Sequence, residues 1–245
     1  MPKEHKKMVL WILATVAAFF VKGVCGFANT LVFTSILAFG ITNVSISPVE
    51  LLLGYPSNII LTWKNRARLR PGIWIPLSLL VLAGSFVGTL LLKNVNPGYI
   101  KIIFGVVVIL LGIEMLLRES GSVRFKESKV LLSVIGIISG VLCGLFGVGA
   151  LLAAYVGRTT ESSDEFKANI CAIFILENTF RIILYIVLGI ITLSAVKHAV
   201  ILLPFMAAGL YTGIRCGKVL HEKTVKRLVI AFLILSGIIM IITNI

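Results

Sequence analysis

The chain has 245 residues, 58% hydrophobic and only 13% charged, with a mean hydropathy of +1.07. Soluble domains carry about 25% charged residues, so the composition belongs to lipid and excludes a soluble enzyme. The net charge of +13 does not indicate a nucleic-acid partner, because most Lys and Arg residues sit in short loops between apolar stretches, where they set membrane topology. Eight apolar segments, near the ~20 residues that cross a hydrocarbon core, fall at 8–40, 46–63, 72–92, 99–117, 129–157, 166–190, 196–216 and 224–242. They leave no room for a soluble domain.

Segment 1 opens with the basic start of a signal peptide, MPKEHKKMVLWIL, but its apolar run is too long for one and contains Lys22, so it is expected to be retained. A straight helix over 8–40 would be ~50 Å long, more than a membrane needs. The glycines of VKGVCGFANT (21–30) therefore mark a break, with Lys22 just before it and Asn29 and Thr30 just beyond. Segment 2 carries Glu50, Ser57 and Asn58, and Lys64, Arg66, Arg68 and Arg70 follow it. Segment 3 holds Gly84 and Gly88 in GxxxG spacing, as segment 7 holds Gly209 and Gly213; small residues at that spacing let membrane helices approach closely. Segment 5 repeats the theme of segment 1 in SGVLCGLFGVGALLAAY (139–155), with Gly140, Gly144, Gly147 and Gly149 inside an apolar run. Segment 6 carries Glu177, Asn178 and Arg181, and the four-residue spacing puts Glu177 and Arg181 on one helical face.

The chain repeats itself. Residues 83–116 laid without gaps on 208–241 match at ten positions, among them Gly84 with Gly209, Gly88 with Gly213, Lys93 with Lys218 and Lys101 with Lys226. GVCGFAN (23–29) lies over GLFGVGA (144–150), and Asn58 falls near Asn178. Charge orients the halves. Eight simple spans with the N-terminus inside put twelve Lys and Arg on the cytoplasmic side and nine outside, whereas turning segments 1 and 5 back at their glycines gives fifteen inside and six outside. The expected fold is therefore all-α and polytopic, with two homologous, inverted repeats, each opening with a glycine-broken helical hairpin. The first repeat is expected at 1–118, a cytoplasmic linker at 119–128 and the second repeat at 129–245. Many secondary transporters use this arrangement.

Backbone released from a helix at membrane depth must line a polar cavity or be buried in protein, and half-helix N-termini facing such a cavity favour an anion. Ionisable groups there suggest function. Lys22 and Arg181 supply positive charge, Arg181 with a planar fork of donors. Asn29, Thr30, Ser57, Asn58 and Asn178, with the backbone at Gly147 and Gly149, supply further donors. Glu177 is either a proton-coupling group or the ion-pair partner of Arg181. Cys25, Cys143, Cys171 and Cys216 lack CxxC spacing and neighbouring histidines, so neither a metal site nor a cofactor is expected.

The glycine-rich GxxxGLFGVG of Gly140, Gly144, Leu145, Phe146, Gly147, Val148 and Gly149, followed by a helix with Asn178, Arg181, Tyr185 and Gly189, resembles the sulfite exporter TauE/SafE family over essentially the whole chain. The family usually continues its second glycine motif with another glycine and a proline, where this chain has Ala150 and no proline. The resemblance implies a permease of the cell membrane for sulfite, organosulfonates or related sulfur-containing anions. The expected partners are a small anionic substrate, the lipid bilayer and, where Glu177 serves as a proton-coupling group, H+ as a coupling ion, with room for a homodimer. The competing reading is a transmembrane thiol–disulfide electron carrier using Cys25 and Cys143, one at each glycine break. An enzyme is not expected, since neither GxSxG nor HExxH occurs.

Overall fold

The computed structural model describes residues 2–37, 41, 43–94, 97–119, 129–217 and 219, and then isolated positions at 227, 230, 231, 234, 238, 241 and 242. The linker expected at 119–128 falls outside the described residues except for Glu119, as do Lys218, Lys223, Lys226 and most of segment 8. Every described element is helical: α1 (Pro2–Cys25), α2 (Asn29–Leu37), α3 (Asn43–Lys64), α4 (Pro71–Asn94), α5 (Pro97–Glu119), α6 (Lys129–Phe146), α7 (Ala150–Thr159), α8 (Ser163–Val187) and α9 (Leu193–Cys216). A short 3-10 turn covers Arg66–Arg68. Four described stretches are long and apolar enough to cross a membrane: Lys7–Cys25, Pro71–Leu92, Ser163–Val187 and Leu193–Cys216.

Local chemistry sets the helix ends. Pro71 and Pro97 open α4 and α5, at the first helical position, where a missing N–H costs nothing. Ser162 and Thr192 cap α8 and α9 by accepting from the N–H groups of Glu165 and Ala195. Gly189, at φ +69°, ends α8 in the left-handed conformation that favours glycine. Segments 1 and 5 are each interrupted, α1 giving way to α2 across residues 26–28 and α6 to α7 across 147–149. Gly26 (φ +84°) and Gly147 (φ +73°) take the left-handed conformation, and Ala28 takes it at φ +71° in spite of its methyl group.

Glycine also sets the closest helix contacts. A Cβ on Gly84 would strike Ile137 O, one on Gly88 would strike Val141 O, and ones on Gly140 and Gly144 would strike Val81 O and Ser85 O. Numbers rise together along both helices, so α4 and α6 run parallel with backbones touching. The same holds for α1 and α9, where a Cβ on Gly209 would stand 2.7 Å from Val16 O and one on Gly23 2.6 Å from Leu210 O. Both GxxxG motifs are contact seams, and each joins a helix of one half to a helix of the other.

Helices α3 and α8 cross the centre antiparallel. Ser47 Oγ lies 2.8 Å from the Tyr185 hydroxyl, and Thr179 Oγ1 donates to the Tyr55 hydroxyl at 3.1 Å. At one end of the molecule Arg70 binds Glu165 (2.8 Å) and Glu161 (3.6 Å), while its backbone N–H donates to Asn169 Oδ1 at 2.9 Å. The turn after α3 and the turn before α8 therefore lie at the same end. At the other end Trp11 of α1 packs on Phe33 of α2, with centroids 5.7 Å apart, and on His198 of α9 at 5.6 Å.

Candidate functional site

The two helix breaks face a single cavity midway along α3 and α8. Its wall includes Lys22 of α1, the stretch from Phe27 to Leu31, Glu50, Gly54 and Asn58 of α3, the stretch from Gly147 to Ala150, and Phe174, Asn178 and Arg181 of α8. Positions 50, 54 and 58, like 174, 178 and 181, are spaced by one helical turn, so each helix offers one polar stripe to the cavity. The first turns of α2 and α7 lie on the wall, and at the start of α7 the cap position is Gly149, with no side chain to satisfy the free N–H groups.

Both cations on the cavity wall, Lys22 and Arg181, are fixed by an asparagine. Lys22 Nζ donates to Asn58 Oδ1 at 2.6 Å, and Arg181 Nη2 donates to Asn178 Oδ1 at 3.2 Å. Lysine and arginine only donate, so both amides must spend their oxygen on the cation, and what they have left for the cavity is an NH2 group. Arg181 also donates through Nη1 to the carbonyl of Cys143 in the last turn of α6, and Lys22 sits in the last turn of α1. Both broken helices thus end beside a positive charge, where the helix dipole is negative.

The carboxylates divide differently. Glu177 Oε1 accepts from Ser85 Oγ at 2.9 Å and lies 3.3 Å from Arg181 Nε, whose N–H has no hydrogen-bond acceptor in line among the described residues; the contact is an ion pair behind the arginine, and Glu177 is not on the cavity wall. Glu50 is on the wall. Its Oε1 accepts from Asn29 Nδ2 at 2.5 Å and Thr30 Oγ1 at 2.7 Å, both in the first turn of α2. Its Oε2 and Arg181 Nη1 each lie 3.0 Å from where a Cβ on Gly147 would stand. Lys22, Glu50 and Arg181 are all at most 2% exposed.

Of the residues expected from sequence, Lys22, Asn29, Thr30, Asn58, Gly147, Gly149, Asn178 and Arg181 meet at this cavity. Ser57 does not, because its hydroxyl turns back to Gly54 O of its own helix at 2.6 Å. Glu50 and Gly54 are missing from the sequence expectation, although the turn spacing of 50, 54 and 58 would have grouped them with Asn58. The thiol–disulfide alternative finds no support: Cys25 and Cys143 are buried at different helix breaks and are not joined to each other in a disulfide. The Cys143 thiol donates to Val148 O at 3.5 Å, tying the second break together.

A family model described as sulfite exporter TauE/SafE matches residues 10–240. The chain belongs to the TauE/SafE family. No curated protein and no solved structure matches it. Membership in this transporter family makes it a membrane transporter, consistent with the four helices among the described residues that are long and apolar enough to cross a membrane.

Proposed function

We propose that this TauE/SafE protein is a secondary transporter of the plasma membrane that carries a small sulfur-containing oxyanion, sulfite or an organosulfonate, through the cavity between its two helix breaks. The observation that carries the reading is the fixed orientation of Asn58 and Asn178: each yields its oxygen to a cation, so the cavity presents amide donors, ammonium, guanidinium and helix N-termini. A pyramidal or tetrahedral SO3 head needs several converging donors, and this wall supplies them from both halves of the chain. The test is flux of labelled anions in liposomes containing the purified protein. Sulfite and short sulfonates should be carried and should compete with one another, with acetate at least tenfold slower; absence of sulfur oxyanion flux in active preparations would reject the reading.

The inverted arrangement of the repeats belongs to the same proposal. In its favour, Phe33 packs against Trp11, although 22 intervening steps along a straight helix would hold them ~33 Å apart. The ion pair of Arg70 with Glu165 likewise brings together two loops that eight simple spans would put on opposite sides. With the Arg-rich end inside, cysteines placed at Arg66 and Asp164 should both resist an impermeant thiol reagent in intact cells and react in inverted vesicles. Labelling of one from each side would rule the arrangement out.

A further inference from the structure

The Glu50 carboxyl group has no part in anion recognition as described so far, yet it stands on the cavity wall, facing the point that Arg181 also faces. With Glu50 and Glu177 both ionised, the two carboxylates offset Lys22 and Arg181, and the site has no net charge for an anion. Such a cavity would set a carboxylate against any oxyanion that entered it. Like charges brought together in a buried site repel strongly.

We infer that Glu50 is the proton-carrying group of the transport cycle, taking up one proton as the anion binds and releasing it as the anion leaves. The inference rests on the transport reading above and goes further in assigning the coupled proton to Glu50. The hydrogen bonds fit this role. Asn29 and Thr30 both donate to Oε1, an oxygen that still accepts when the proton is on Oε2. Protonation therefore leaves the first turn of α2 in place, turns Oε2 from an acceptor into a donor at the cavity, and leaves the site with one net positive charge for a monoanion. The proton comes from water on the loading side and returns to water on the other, so proton and anion cross together without net charge.

Glu177, expected from sequence as either a coupling group or the ion-pair partner of Arg181, is held by Ser85 and Arg181 away from the wall. The groups acting on Glu50 are Arg181, Glu177 and Tyr185 from α8, Lys22 from α1 and Cys143 from α6. Asn29 and Thr30 from α2 are uncharged, and the charges of α9, Lys197 and Arg215, lie in its end turns.

The test has two arms. An infrared titration of the purified protein, without substrate, should show a protonated-carboxyl band growing as pH falls, absent in Glu50→Gln and retained in Glu177→Gln. Glu50→Gln keeps an oxygen for Asn29 and Thr30, so its fold is preserved. In liposomes, exchange of a short alkylsulfonate, whose own charge is constant over the range, should rise about tenfold per pH unit fall on the alkaline limb, as a one-proton step requires, and Glu50→Gln should flatten that profile. A band that persists in Glu50→Gln, or a pH profile unaltered by it, overturns the inference. If the wild type carries no sulfur oxyanion while the band still follows Glu50, the transport reading fails and Glu50 remains the group that takes up the proton.

Discussion

Replacing Arg181 by alanine is expected to abolish flux and to lower the yield of folded protein sharply. The guanidinium serves Asn178, the Cys143 carbonyl and Glu177 at once. Without it Glu177 is a buried, unpaired charge, a loss of about 3–5 kcal/mol, and the end of α6 loses its cation. Arg181→Lys keeps the charge but cannot reach three partners with one ammonium, so it should fold and bind the anion about tenfold more weakly or worse. The double variant Glu177→Gln with Arg181→Gln separates folding from recognition, since it removes both charges together. It should recover expression but not flux, because the donor fork is gone. Normal transport by the double variant, at matched protein levels, would eliminate Arg181 as an anion ligand and leave Lys22 as the cation of the site.

The second large effect is expected at the seam between α4 and α6. Gly84→Val sets a branched side chain against the Ile137 carbonyl, a backbone atom that cannot rotate away, so the helices must part along the seam. Overpacking in a rigid contact costs about 1–3 kcal/mol or more. Separation would also displace Ser85 from Glu177 and shift the second break. Thermal unfolding in detergent should therefore begin at least several degrees lower, with little monodisperse protein recovered. Gly72→Ala, where a Cβ would meet nothing within 4 Å, is the control and should behave as wild type. A Gly84→Val protein with unchanged melting would mean that α4 and α6 do not lie in contact.

What was legible in the sequence follows from the range over which each signal acts. Apolar length, the glycine clusters at 23–26 and 144–149 and the intramembrane charges are local signals, and they point to the helix breaks and to half of the residues on the cavity wall. Where the Ser57 hydroxyl points is not legible in sequence, because a hydroxyl in a helix has a carbonyl of its own turn within reach, and composition cannot say which acceptor wins. The turn spacing of 50, 54 and 58 groups Glu50 with Asn58 on one helical face, but its contacts with Asn29 and Thr30 of α2 are tertiary and leave no mark in the sequence. Nor does any spacing reveal that Arg181 reaches the end of α6, or that each GxxxG seam has its partner in the opposite half. Those are tertiary choices, fixed by which backbones can approach.

The crossed seams have a consequence for how the protein is made. Helices enter the membrane in chain order, so α1 and α4 arrive with their glycine faces open, and neither face can be closed by anything in the first half. Gly84 waits for Gly140, and Gly23 waits for Gly213. Until α9 is inserted, α1 has α2 beside it but nothing against its glycine face, and the first break has only part of its surroundings. The two halves are therefore each incomplete along one seam, and the contact that closes α1 forms only when the last part of the chain is in place.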